Sequence, residues 1–99
     1  MSDQEGFKKV EGANKGDFKL YALSTCGWCR KTKGLLNDMN VEYSYADVDL
    51  LQGAEREEAL EGLRRWNPRG TFPTLVVNND HCIVGFNEED IREAIASAK

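Results

Sequence analysis

"STCGWCRKTKG" (residues 24–34) sets Cys26 and Cys29 three positions apart, with only Gly27 and Trp28 between them. The stretch follows "FKLYAL" (residues 18–23), whose alternation and bulk predict a β-strand. From Trp28 to Met39 the residues Cys29, Thr32, Leu36 and Met39 share one face of a helix, with Lys31, Lys33 and Asp38 elsewhere. The pair therefore stands where a strand becomes a helix, and Ser24 and Thr25 lie where they could help cap it.

That position favours chemistry. Free backbone N–H groups and the positive end of the helix dipole stabilise a thiolate on Cys26. A lowered pKa makes the thiol reactive near neutral pH and a better leaving group afterwards. Arg30 and Lys31 add positive charge nearby. Residues three apart on a helix have Cβ atoms ~5–6 Å apart, slightly beyond the ~3.5–4.5 Å of a disulfide. Cys26 is only half inside the helix and Gly27 loosens the bend, so the gap can close and reopen without unfolding. Cys26 is expected to attack as nucleophile, and the more buried Cys29 to resolve the mixed disulfide.

Metal binding is the competing use of C-x-x-C. His81 and Cys82 would complete four zinc ligands on paper. Adjacent residues of a strand point to opposite faces, however, so both reach one metal only if the strand breaks. An iron–sulfur cluster shared across a dimer, with one thiolate per subunit and added small thiols, is the stronger metal alternative. Cys82 reads otherwise as a small apolar filler and His81 as exposed and inert.

Bulk properties narrow the class. The 99 residues suffice for one core and not two. Seventeen acids against thirteen Lys and Arg give a net charge of −4, which argues against a nucleic-acid binder. No apolar run is long enough to span a bilayer, and "MSDQEGFKKVEG" has no hydrophobic secretory core, so the expectation is a cytoplasmic protein without a membrane partner. Three cysteines do not make a disulfide-stapled domain.

Residues 1–16 form a polar N-terminal extension, read as a tail, with a short extra strand at "FKKV" as the alternative. Residues 17–99 form the domain. "VEYSYADV" predicts a second strand, and "AEREEALEGLRRW" a helix burying Ala59, Leu60, Leu63 and Trp66. "TFPTLVVN" and "HCIVGF" predict strands joined by a tight hairpin at "ND". "NEEDIREAIASA" predicts a last helix capped by Asn87, with Ile91, Ala94, Ile95 and Ala98 inward. Tyr21 reads as packing. Trp28, between two redox cysteines at a helix start, is expected at the surface with an apolar face for partners.

These blocks together resemble the glutaredoxin-like members of the thioredoxin-fold superfamily, from about Lys19 to Ser97. "LYALSTCGWC" is similar to the family's strand, loop and cysteine block, "GTFPT" to its Thr-Val-Pro segment, and "IVGFNEEDI" to the glycine-plus-acidic motif opening its last helix. The resemblance implies an α/β thioredoxin/glutaredoxin fold, a four-stranded mixed sheet flanked by three helices. It implies a cis Pro73 opposite the cysteines, with the Phe72 backbone offered to an extended substrate. It further implies a groove of Trp28, Arg69, Thr71, Phe72, Pro73, Gly85, Phe86 and Glu88, where Gly85 and the acids after it take the amino end of a small peptide thiol and Arg69 a carboxylate.

The implied activity is a dithiol thiol–disulfide oxidoreductase acting as a monomer on protein or small mixed disulfides, with no bound cofactor or metal; the alternative is an iron–sulfur cluster carrier. Leu23 stands where glutaredoxins carry a lysine, Phe86 replaces the second of two glycines, and Gly-Trp replaces Pro-Tyr between the cysteines. The Gly-Phe pair is similar to that of glutaredoxin-like proteins that accept electrons from thioredoxin reductase. Glutathione, another small thiol and thioredoxin reductase therefore all stand as implied electron donors.

Overall fold

Two central strands with apolar residues pointing to both sides of the sheet require cover on both faces, and the architecture supplies it. In the computed structural model, which describes residues 7–97, the elements are β1 (Lys8–Val10), β2 (Phe18–Ala22), α1 (Gly27–Asp38), β3 (Tyr43–Asp47), α2 (Gly53–Trp66), β4 (Thr74–Val77), β5 (His81–Val84) and α3 (Glu88–Ser97). A single 3-10 turn, Val48–Leu50, joins β3 to α2. The sheet order is β1-β3-β2-β4-β5. β3 lies parallel to β2 through the α1 crossover, and β4 and β5 add antiparallel on the other side.

Strand periodicity sorts the core into two halves. Phe18, Leu20 and Ala22 of β2, with Leu75 and Val77 of β4, meet Leu35 and Leu36 of α1 and Ile91, Ala94 and Ile95 of α3. Tyr21 and Val76 point the other way and meet Val48 and the α2 residues Ala59 and Leu63. Burying each large aliphatic side chain is worth about 1.5–3 kcal/mol, so the alternation itself fixes the register. Leu60 and Trp66, expected inward, are half-buried at the margin of the second cluster. Ala98, also expected inward, lies outside the described residues.

Three expectations need correction. The sheet has five strands rather than four, because "KKV" pairs antiparallel with β3, Lys8 opposite Tyr45 and Val10 opposite Tyr43. The tail reading therefore fails for this part of the extension. Phe7 packs edge-on against Tyr21, with ring centroids 5.3 Å apart, and Val10 packs on the opposite cluster. The hairpin centres on Asn78-Asn79, not "ND": both take left-handed φ (53° and 55°), and the Asp80 N–H donates to the Val77 carbonyl at 3.0 Å. Asn78 also ties the hairpin to the start of β2, accepting from the Asp17 N–H at 2.8 Å.

Gly62 shows why a helix interior keeps a glycine. A Cβ there would stand 2.5 Å from the Tyr21 hydroxyl oxygen and 3.5 Å from the ring carbon bearing it. Gly62→Ala should destabilise the protein by about 1–2 kcal/mol, overpacking outweighing a helix-propensity gain of about 1 kcal/mol. With Tyr21→Phe in place, the same Gly62→Ala change should become neutral or stabilising. A double-mutant cycle by urea denaturation measures both.

Candidate active site

The helix that carries the cysteines is capped by one of them. Cys26 takes extended backbone angles (φ −86°, ψ 121°) at the N-cap of α1, and its Sγ accepts the Cys29 N–H at 3.2 Å. Its own N–H donates to the Leu23 carbonyl at 3.2 Å, closing the turn between β2 and α1. Cys29 is fully buried, and its Sγ accepts the Leu23 N–H at 3.4 Å. Ser24 and Thr25 do not cap the helix. The Ser24 N–H donates to Asp49 Oδ1 at 2.8 Å and its hydroxyl to Oδ2, so Asp49 pins the loop before Cys26.

The two thiols are pushed apart in acidity. Partial burial opposes ionisation of Cys26, yet donors from the Cys29 thiol, the Cys29 and Trp28 N–H groups and the nearby Arg30 charge outweigh it, leaving its pKa below the ordinary thiol value. Burial pushes the Cys29 thiol up to about 12, and its hydrogen bond to the Cys26 sulfur holds the proton further. Of the two thiols, Cys26 is thus the more acidic and Cys29 the one that holds its proton.

The facing wall is built from the segment between α2 and β4. The Phe72–Pro73 peptide bond is cis. Asn67, buried at the end of α2, donates through Nδ2 to Thr71 Oγ1 at 2.9 Å and Thr74 Oγ1 at 3.1 Å, while its Oδ1 accepts the Arg69 N–H at 3.2 Å. The Phe72 backbone makes no hydrogen bond with the described residues. Gly85, with φ of 81°, donates its N–H to the Pro73 carbonyl at 2.8 Å and so locks the β5–α3 loop beside this segment.

Cys26, Phe72 and Phe86 all border the same core cluster, and the Gly85–Pro73 hydrogen bond joins two of the three blocks of sequence. Trp28 is 58% exposed and stacks on Phe86, with centroids 6.0 Å apart at 23°. Lys31 Nζ lies 4.8 Å from the Trp28 ring centre. Arg69 and Thr71 are exposed. Glu88 is already engaged by Arg92 at 2.8 Å along α3, whose first turn Asn87 caps by accepting the Asp90 N–H. The Cys82 thiol donates to the Trp66 carbonyl at 3.4 Å among the α2-side residues. His81 is exposed beside Asp80, so the paper zinc set is not assembled. Among the described residues no group of three or more His, Cys, Asp or Glu could hold a metal ion. A cleft of about 470 Å³ beside α2, lined by Tyr21, Trp66 and Arg65, contains neither Cys26 nor Cys29.

Sequence and structure comparisons agree with this geometry. The family model for glutaredoxin matches residues 18–82. A glutaredoxin crystal structure from Methanosarcina mazei Go1 is 47% identical, covering 92% of this chain and 88% of that one, with a TM-score of 0.84. Methanoredoxin from Methanosarcina acetivorans is 44% identical over 93% of this chain and 96% of that one, with a TM-score of 0.86. A glutaredoxin-like 8.6 kDa protein of a Clostridium pasteurianum rubredoxin operon is 30% identical over 78% of this chain and 95% of its own length. The chain has the thioredoxin/glutaredoxin fold, with three helices and a mixed sheet. It belongs to the glutaredoxin family.

Asn67 and Asp49 are the two positioning residues that sequence reading passes over. "NPRG" marks the end of α2, but nothing local says that its asparagine reaches four and seven residues onward. Leu23, in the position of a lysine in glutaredoxins, is half-buried against the α2-side cluster, which accounts for an apolar residue there. Asn67→Ala should cost about 2 kcal/mol, since it strips a buried donor from two threonines. Cys29→Ala should raise the Cys26 pKa, because the thiol donor to its sulfur is lost. The pH dependence of alkylation by iodoacetamide measures that rise.

Proposed function

We propose that the protein is a dithiol thiol–disulfide oxidoreductase working through a reversible Cys26–Cys29 disulfide. One observation carries the reading: an N-cap cysteine with lowered pKa receives hydrogen bonds from both the backbone and the thiol of a buried second cysteine. The Cys26 thiolate attacks one sulfur of a substrate disulfide, that S–S bond breaks, and the departing thiolate takes a proton from solvent. Cys29 then gives up its proton, its sulfur attacks Cys26 Sγ, and the second substrate thiolate leaves. Two electrons have passed to the substrate, and the protein holds the disulfide until an external dithiol, a pair of small thiols or a reductase returns them.

The rest of the groove serves this exchange. An extended substrate can pair with the unbonded Phe72 backbone, which holds its disulfide in line with Cys26. Thr71 and Pro73 shape that wall, Arg69 offers a cation to a substrate carboxylate, and Gly85 keeps the opposite loop in place. Glu88 contributes charge to the far rim while tied to Arg92. Leu23 removes a cation from the near side, so the donor is chosen by the remaining basic groups, Arg30, Lys31 and Arg69.

Cys26→Ser should reduce disulfide reduction to the uncatalysed rate, with folding checked by circular dichroism. Cys29→Ser should spare only reactions that a single thiol completes. Full turnover by folded Cys26→Ser protein would overturn the assignment. Offering the oxidised protein glutathione, other small thiols and thioredoxin reductase in parallel, and timing reduction of the Cys26–Cys29 bond, identifies the donor.

A further inference from the structure

An exposed tryptophan is usually a mobile one, but Trp28 has two neighbours on its ring. Phe86 stacks on its indole, and Lys31 Nζ lies 4.8 Å from the ring centre, while 58% of the residue stays exposed. Phe86 is itself fixed, because it follows Gly85, whose N–H is bonded to the Pro73 carbonyl, and because its ring borders the main core cluster. A pinned aromatic surface loses little conformational freedom when an apolar side chain settles on it. Here that surface begins two residues along α1 from Cys26, and the Phe72 side chain packs on the same cluster as Cys26 and Phe86.

Charge is also arranged across the site. The first turn of α1 has no acid, and Arg30 and Lys31 are exposed with no ion pair to a described residue. The first turn of α3, on the other side, carries Glu88, Glu89 and Asp90. On a chain of net charge −4, Arg30 and Lys31 thus make the start of α1 locally cationic, apart from Asp49 on Ser24, while Glu89 and Asp90 leave the start of α3 anionic even with Glu88 paired to Arg92. A carboxylate on a substrate is drawn to the first and repelled from the second.

We infer that the Trp28–Phe86 stack and the Arg30–Lys31 pole select one substrate class: disulfides on an extended polypeptide with an apolar and an acidic residue flanking the cysteine. The apolar side chain lies on the stacked rings and the carboxylate faces Lys31 and Arg30. Small hydrophilic disulfides have nothing to place on the rings. This inference rests on the oxidoreductase reading, and names the specificity of the same site.

Three matched heptapeptides test it, each bearing the same small thiol in mixed disulfide on a central cysteine, flanked by Leu and Asp, by Ser and Asp, or by Leu and Lys. Wild-type kcat/KM should favour Leu over Ser about ten-fold and Asp over Lys about ten-fold at low salt, the second preference fading at high salt. Phe86→Ala and, at its exposed position, Trp28→Ala should each shrink the Leu preference to about two-fold or less, while Phe86→Tyr keeps it. Lys31→Glu should reverse the charge preference and leave the Leu preference in place. Equal wild-type rates for the three peptides, or a Leu preference that survives both alanine variants, would sink the inference while leaving the oxidoreductase reading intact. Failure of the wild type to reduce any disulfide, peptide or small, would instead bring down that reading and the specificity with it.

Discussion

The hydrogen bond from the Cys29 N–H to the Cys26 sulfur does two jobs with one atom. It satisfies a donor that the first turn of a helix would otherwise leave bare, and it favours negative charge on the Cys26 sulfur. Helices are more commonly capped by Ser, Thr, Asp or Asn, whose oxygen is a better acceptor. In a cap made by sulfur, the group that finishes the helix is also one that can ionise. The junction then needs outside support. Leu23 provides it by bonding Cys26 through its carbonyl and Cys29 through its N–H, and Asp49 by clasping Ser24.

Much of this was legible because it is periodic or covalently local. β2 and β4 announce themselves by their large apolar residues, and α1 places Cys29, Thr32 and Leu36 inward as its spacing demands. The Cys26 and Cys29 positions at a strand–helix junction need only the neighbouring sixteen or so residues to be read. What escaped depends on contacts between distant segments. Asp49 reaches back twenty-five positions to Ser24, a partnership no window of sequence contains. The "KKV" strand stood only as the alternative to a tail for a related reason. Three residues, two of them lysine, carry almost no intrinsic β signal, and they become a strand only because β3 offers an edge and Tyr21 offers Phe7 a ring to rest on.

The asymmetry of the two faces explains why the site lies at one end of the sheet. α1 and α3 share one side, and both begin at the end where β2 stops and β4 starts. Their N-termini, the turn after Leu23 and the Phe72–Pro73 segment are therefore gathered at a single rim, and reactive sulfur, free backbone and aromatic wall arrive together without a dedicated loop. Asn67 keeps the rim in shape from the other side of the sheet, since its one amide spans Thr71 and Thr74 on either side of Pro73.

The extra strand also alters what the protein presents sideways. Without it the sheet would end at Tyr43–Asp47, five residues of ladder with two tyrosines, a template long enough for another chain to zip onto. With it the outermost row is Lys8–Val10, three residues long, its two lysines exposed. A row this short gives a further strand little ladder to pair with, and Lys9 is already held by Glu42 at 3.2 Å. Residues 8–10 thus form a selvedge along this border of the sheet.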